Sequence, residues 1–195
     1  MLNVAFVVLE RIGRMFYVID YRTTVFSKLD DVPDYITEAV PFFVASILLE
    51  SFIMYFSHEL RPSRVNDGLG SVSAGLFQQV LNKILFKSLE IDAYLWVYSR
   101  FCVYDMDPTS LACWALGFVL IDLGYYWFHR MAHEVNIFWA SHVVHHSSQE
   151  YNQTTALRQS ALQTYFSFIF YLPFAVILPP PIFLVHRQFN VRHGR

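Results

Sequence analysis

Charge is scarce in this sequence. Lysine and arginine number 14 and aspartate and glutamate 16, together 15% of the residues, where soluble domains usually carry about 25%. The net charge of −2 and the pI near 6.4 leave no basic footprint, so nucleic acid is excluded as a partner. Cysteine is nearly absent as well. Cys102 and Cys113 form neither a CxxC pair nor a disulfide framework and are expected to be buried thiols. There is no internal repeat, no low-complexity tract and no composition shift that marks a second domain, so residues 1–195 are read as one domain. No small-residue cleavage site follows the apolar first nine residues. A cleaved secretory signal is not expected, and an amphipathic N-terminal helix is.

What fills the chain is apolar. It is 55% hydrophobic and 18% aromatic, with a mean hydropathy of +0.34. Residues 39–56 contain one charge, Glu50, residues 111–128 contain one, Asp122, and residues 161–185 contain none. Each has the roughly 17 to 25 residues of a bilayer-crossing helix, although Pro173 and Pro179, Pro180 and Pro181 interrupt the third. Residues 71–103 are apolar too, but Lys83, Lys87, Glu90 and Asp92 punctuate them, which predicts an amphipathic or interfacial helix pair. Loops are expected at 30–33, 61–68 and 105–108, with Thr109 or Ser110 capping the helix that follows. The expected fold is all-α, a multi-span helical integral membrane protein.

Charges at the span ends predict an orientation. Asp30, Asp31 and Asp34 precede the first span and Arg61 and Arg64 follow it, while Arg130 follows the 111–128 span. The positive-inside rule then puts the Arg61 loop and the end of the second long span in the cytosol. Tyr125, Tyr126 and Trp127 read as an interface belt, and His58 as an interfacial histidine.

Five of the eight histidines fall between His129 and His146. A helix that continues past residue 128 brings His129 and His133 to one face, with Asp122 and Tyr126 on the same stripe. His142, His145 and His146 repeat the spacing. Neutral imidazole is a ligand for Fe, Cu or Zn near pH 7, and two such groups can converge on one centre, as ligands on facing helices do in bundle di-iron proteins. The pattern is not HExxH, because Arg130 stands where that motif needs its glutamate. The expected metal ligands are His129, His133, His142, His145 and His146. Glu134 and Asp122 are candidate carboxylates that ligate or orient them, and Glu50 is read as structural.

The strings GYYWFHRMAHE (124–134) and FWASHVVHHSS (138–148) resemble the histidine boxes of the fatty acid hydroxylase superfamily of membrane di-iron oxygenases. The matching domain would cover about 111–190. Sterol desaturases and C-4 methyl oxidases share these boxes. Tyr151 and Asn152 with residues 155–160, then Val185, His186, Gln188, Phe189 and Asn190, narrow the resemblance to the ether-lipid-cleaving branch. Residues 32–35, 41–43 and 71–75 are similar to it as well. The resemblance implies a multi-pass endoplasmic-reticulum enzyme with histidine boxes at the cytosolic helix ends. Such an enzyme uses di-iron, O2 and tetrahydrobiopterin to hydroxylate the ether-linked carbon of an alkylglycerol, which then falls apart to a fatty aldehyde and a glycerol derivative. It also implies a further histidine group that does not occur within residues 1–195, so a truncated, non-catalytic membrane protein is the alternative from another class. Roughly eight ligands serve two histidine-held irons, and His186 and His193 are the remaining histidines that could add to the five.

Overall fold

The computed structural model describes residues 2–15, 20–57, 65–82, 84 and 89–193, and the regular structure among them is helical. Eight α-helices follow one another: α1 (Leu2–Met15), α2 (Tyr35–Phe56), α3 (Val65–Leu81), α4 (Leu89–Phe101), α5 (Leu111–Glu134), α6 (Asn136–His142), α7 (Gln163–Ser167) and α8 (Pro180–His193), with short 3-10 turns between several of them. His58, Arg61 and Arg64, which carried the interfacial-histidine and orientation readings, lie outside the described residues.

The starts of the two long helices follow from local chemistry. Asp34 caps α2: its Oδ1 accepts from the Thr37 amide at 3.0 Å and its Oδ2 from the Thr37 hydroxyl at 2.8 Å. The Ser110 hydroxyl accepts from the Cys113 amide at 3.2 Å, so Ser110 is the cap of α5. Both helices are long and apolar enough to cross a membrane. Val44, Leu48, Phe52 and Tyr55 of α2 are exposed, an apolar surface of the kind that lipid or a partner covers. The described residues between 71 and 103 fall largely in two helices, α3 and α4, the pair expected there.

The third expected span does not form. Residues 163–176 are a string of one-turn helices, and α8 starts at Pro180. Pro173 has no amide to continue a ladder, whereas Pro180 and Pro181 occupy a first turn where no amide partner is needed. Absence of charge made this run look like a span, and proline divides it.

The chain forms two compact units interleaved in sequence, Met1–Val40 with Ile91–Tyr126 and Phe170–Arg195, and Pro41–Glu90 with Trp127–Ile169. In the first, Tyr94, Cys113, Ile121, Tyr171, Leu178 and Phe183 form a buried cluster, with the Tyr94 and Phe183 rings stacked 3.8 Å apart. Cys113 is buried as expected, while Cys102 is half-buried. Gln188 fastens the entry to α2 by donating to the Pro33 carbonyl and accepting from the Tyr35 amide.

The second unit carries the histidines. Its turn at Gln153–Leu157 is capped by Asn152 and held against two helices. Glu50 of α2 accepts from the Gln153 amide at 3.0 Å, so this acid within an apolar helix is structural. The Ser46 hydroxyl donates to Gln153 Oε1 at 2.6 Å. On the other side, Gly75 of α3 passes so near the turn that a Cβ there would stand 2.6 Å from the Leu157 carbonyl oxygen. α6 meets α7 through the edge-to-face pair Phe138 and Phe166, 5.3 Å apart.

Gly75→Ala is expected to lower stability by about 1–3 kcal/mol through overpacking against a backbone oxygen. Gly68→Ala, whose Cβ meets Thr154 no nearer than 3.7 Å, is expected to hold stability or raise it by up to about 1 kcal/mol through helix propensity. Thermal unfolding in detergent compares the two, and equal melting temperatures would contradict the close approach at Gly75.

Candidate metal centre

α5 runs unbroken from Leu111 to Glu134, so the four-residue spacing of His129 and His133 becomes one helical turn. Their Nε2 atoms are 3.0 Å apart and their rings are stacked at 14°. α6 ends at His142 and a 3-10 turn begins at His145, and this bend brings the His146 Nε2 to 3.2 Å from the His142 Nε2. The two pairs converge. Ring centroids of His133 and His146 are 4.8 Å apart, those of His129 and His142 also 4.8 Å, and the ligand atoms of all four histidines lie within 4.8 Å of one another.

This donor set fits a metal ion. With metal–nitrogen bonds of about 2.0–2.1 Å, two imidazole nitrogens on one ion stand roughly 3.0–3.4 Å apart when adjacent, which matches both measured pairs. The 4.8 Å spread of all four exceeds by some tenths of an ångström the roughly 4.2 Å that opposite donors on one ion reach, so the two pairs would close slightly around a shared ion. Burial pushes the His142 imidazole down to about 4, and it lowers His146 as well, so both are neutral, ligand-ready bases near pH 7. The outer nitrogen of His142 faces Gln163 Oε1 at 3.4 Å, the kind of contact that fixes a ligand ring's orientation. Trp139 lies beside the group, 5.6 Å from His133 and 5.5 Å from His146. His133 and His146 are exposed and His129 half-buried, which leaves the centre one open side.

His145 is placed differently. It is not one of the four converging histidines; its Nδ1 faces the Arg158 carbonyl at 3.3 Å and Gln159 Nε2 at 3.4 Å. Glu134 pairs with Arg130 at 2.9 Å, both about half exposed. Asp122 is exposed on α5, as are Tyr126 and Trp127. His186 lies in the first unit, buried against the edge of Trp114 at 4.8 Å. The side chain of His193 lies outside the described residues.

Sequence reading had not singled out Gln163, Gln159 or the ion pair of Asp67 and Arg158 as site residues. One hint was available: residues 158–164 keep Arg158, Gln159, Ser160, Gln163 and Thr164 at the head of a long apolar run.

Residues 114–192, which include all five clustered histidines, match the family model described as Fatty acid hydroxylase. Over a longer stretch, the chain is 46% identical to alkylglycerol monooxygenase of Xenopus tropicalis, across 182 residues, 93% of this chain and 40% of the relative. It is 44% identical to alkylglycerol monooxygenase of Homo sapiens over 177 residues, 91% of this chain and 40% of the relative. For alkylglycerol monooxygenase of Caenorhabditis elegans the identity is 35% over 183 residues, 93% of this chain and 36% of the relative. The chain is thus homologous to alkylglycerol monooxygenases along about nine-tenths of its length, and it spans about 40% of the length of these curated relatives. No solved structure matches it.

Metal analysis of the purified chain should find one ion per chain. His142→Ala and His146→Ala should each abolish tight binding, and His145→Ala should retain it. Two ions per wild-type chain, or equal loss in His145→Ala, would contradict the four-ligand centre.

Proposed function

We propose that this chain carries part of the catalytic centre of a membrane-spanning, di-iron, tetrahydrobiopterin-dependent monooxygenase that cleaves the ether bond of alkylglycerols in the endoplasmic reticulum. Convergence of four imidazoles within 4.8 Å is the observation that carries the reading, and homology to alkylglycerol monooxygenases selects the chemistry. Imidazole nitrogen accepts zinc as readily as iron, so the choice of iron rests on that homology. Bound iron would supply O2 activation for hydroxylation of the ether-linked carbon, and the resulting hemiacetal collapses to a fatty aldehyde and a glycerol derivative.

The chain's own residues have narrower tasks. His129, His133, His142 and His146 would hold one ion with an open side toward substrate. Gln163 fixes the His142 ring, and Trp139 packs beside His133 and His146 on one side of the centre. Candidate membrane helices α2 and α5 would keep the lipid chain next to the bilayer from which it comes, with the histidines at a cytosolic helix end. Glu134, one residue past His133, is a candidate to orient that histidine by leaving Arg130. Asp122, seven residues before His129, is carried as a second auxiliary carboxylate.

A second reading, a metal-binding membrane protein without turnover, is favoured by one observation. Four ligands serve one ion, and a second iron needs donors beyond the described cluster, with His145 as a starting point. The two readings separate in membranes supplied with alkylglycerol, iron and tetrahydrobiopterin. Residues 1–195 alone are expected to release no fatty aldehyde. A polypeptide in which these residues are joined to a further histidine group is expected to release it in a pterin-dependent way, about 100-fold or more above residues 1–195. Aldehyde release by residues 1–195 alone at a comparable rate would contradict the ligand count, and an active joined polypeptide filled with zinc and free of iron would overturn the di-iron assignment.

A further inference from the structure

Beside the four imidazoles stands a charged cluster with no metal ligand in it. The Arg158 guanidinium donates from Nη2 to Asp67 Oδ1 at 2.7 Å and to the Asp67 carbonyl at 2.9 Å. It donates from Nε to Ser71 Oγ at 3.0 Å, and from Nη1 to the Ser147 carbonyl at 3.1 Å and the Ser147 hydroxyl at 3.2 Å. Asp67 Oδ2 accepts from the Ser148 hydroxyl at 2.6 Å and the Glu150 amide at 3.4 Å, and Oδ1 accepts from the Gln149 amide at 3.3 Å. The Ser148 hydrogen bond, reinforced by the Gln149 amide and Arg158, holds the Asp67 carboxyl below the usual carboxylate range. The two charged side chains are 13% and 8% exposed.

A nearly buried ion pair is weak as a stabilising device, because desolvation offsets most of its attraction. What the pair does supply is direction. Its partners Ser147, Ser148, Gln149 and Glu150 are the four residues that follow His146, and the Arg158 carbonyl faces His145 Nδ1. His146 is exposed, so its contacts with His142 and Trp139 fix it only in part, and the backbone that follows helps to aim its ring.

We propose that Asp67 and Arg158 are positioning residues for the metal centre: together they anchor residues 147–150 so that the His146 imidazole meets the ion held by His129, His133 and His142. This rests on the reading of those four histidines as a metal site. A fork of five donors in one plane is what the arrangement uses, and lysine does not reproduce it. An open cavity of about 560 Å³, lined by Val65, Asn66, Asp67, Gln149 and Arg158, leaves room for a small cation to reach the pair.

The test uses the whole 195-residue chain in detergent with Co(II) as the probe, read by its visible absorption band, beside apo-chain melting temperatures. Wild type should bind Co(II), and His146→Ala should bind far more weakly. Asp67→Asn and Arg158→Met should bind about 10-fold more weakly than wild type, the low end of the loss seen when a group that hydrogen-bonds a ligand is removed, because they act on His146 through residues 147–150, with a shifted band. Arg158→Ala should recover affinity when guanidinium is added, and Arg158→Lys should melt near wild type and still bind weakly. Wild-type affinity and band in the folded Asp67 and Arg158 variants, with His146→Ala impaired, would overturn the positioning role and leave the metal site standing. Lower melting temperatures with an unchanged band would do the same, since they mark a merely structural pair. Absence of Co(II) binding by wild type would overturn both readings.

Discussion

Imidazoles held within 4.8 Å of one another constrain everything around them. Each must stay neutral to present a lone pair, and each must be aimed, because a metal bond tolerates an error of only tenths of an ångström. Helical geometry supplies the first half of the aim. On α5, one turn places His129 over His133, and Phe128 and Ala132 on the neighbouring stripe are buried, which fixes the rotation of the helix end that carries them. The second pair cannot use one continuous helix, because Val143 and Val144 lie between the end of α6 at His142 and the 3-10 turn that starts at His145.

That break explains why the polar network of the second unit is concentrated where it is. The segment from His142 to Leu157 has little regular structure of its own, and its turns are tied down one by one. Gln163 faces the His142 ring, Arg158 and Asp67 hold 147–150, and Glu50 and Ser46 hold Gln153. Several of these ties join residues about 80 to 110 positions apart in sequence. The ligand geometry of the second pair is therefore a property of the packed unit, whereas the first pair is largely a property of one helix.

The same division governs how much could be read from sequence. Helices α2 and α5, the α3 and α4 pair and the cap at Ser110 were legible, since each follows from local periodicity or a local hydrogen bond. So were both histidine pairs, because four-residue spacing is written in the chain. His145 was grouped with the others by spacing and by the resemblance of residues 138–148 to a histidine box, and its Nδ1 faces the Arg158 carbonyl. The Arg130 and Glu134 pair is local, at the spacing that favours helical ion pairs, and could have been anticipated. The 161–185 run misled because hydropathy averages over prolines that the backbone cannot ignore. The Asp67 and Arg158 clamp had no local signature, since its meaning lies in a contact 91 residues apart. The proposal of iron, pterin and ether-lipid chemistry rests on resemblance alone, as no spacing of imidazoles selects among the metals that bind them.

The central claim is that the α5 pair, His129 and His133, and the pair at the end of α6 and the following turn, His142 and His146, share one ion. X-ray absorption at the edge of the bound metal in the purified chain tests it most directly. The account predicts a first shell dominated by four imidazole nitrogens at about 2.0–2.2 Å, with outer-shell ring scattering and no metal–metal vector. A shell with two or fewer imidazoles, or a metal–metal vector within the 195-residue chain, would contradict it.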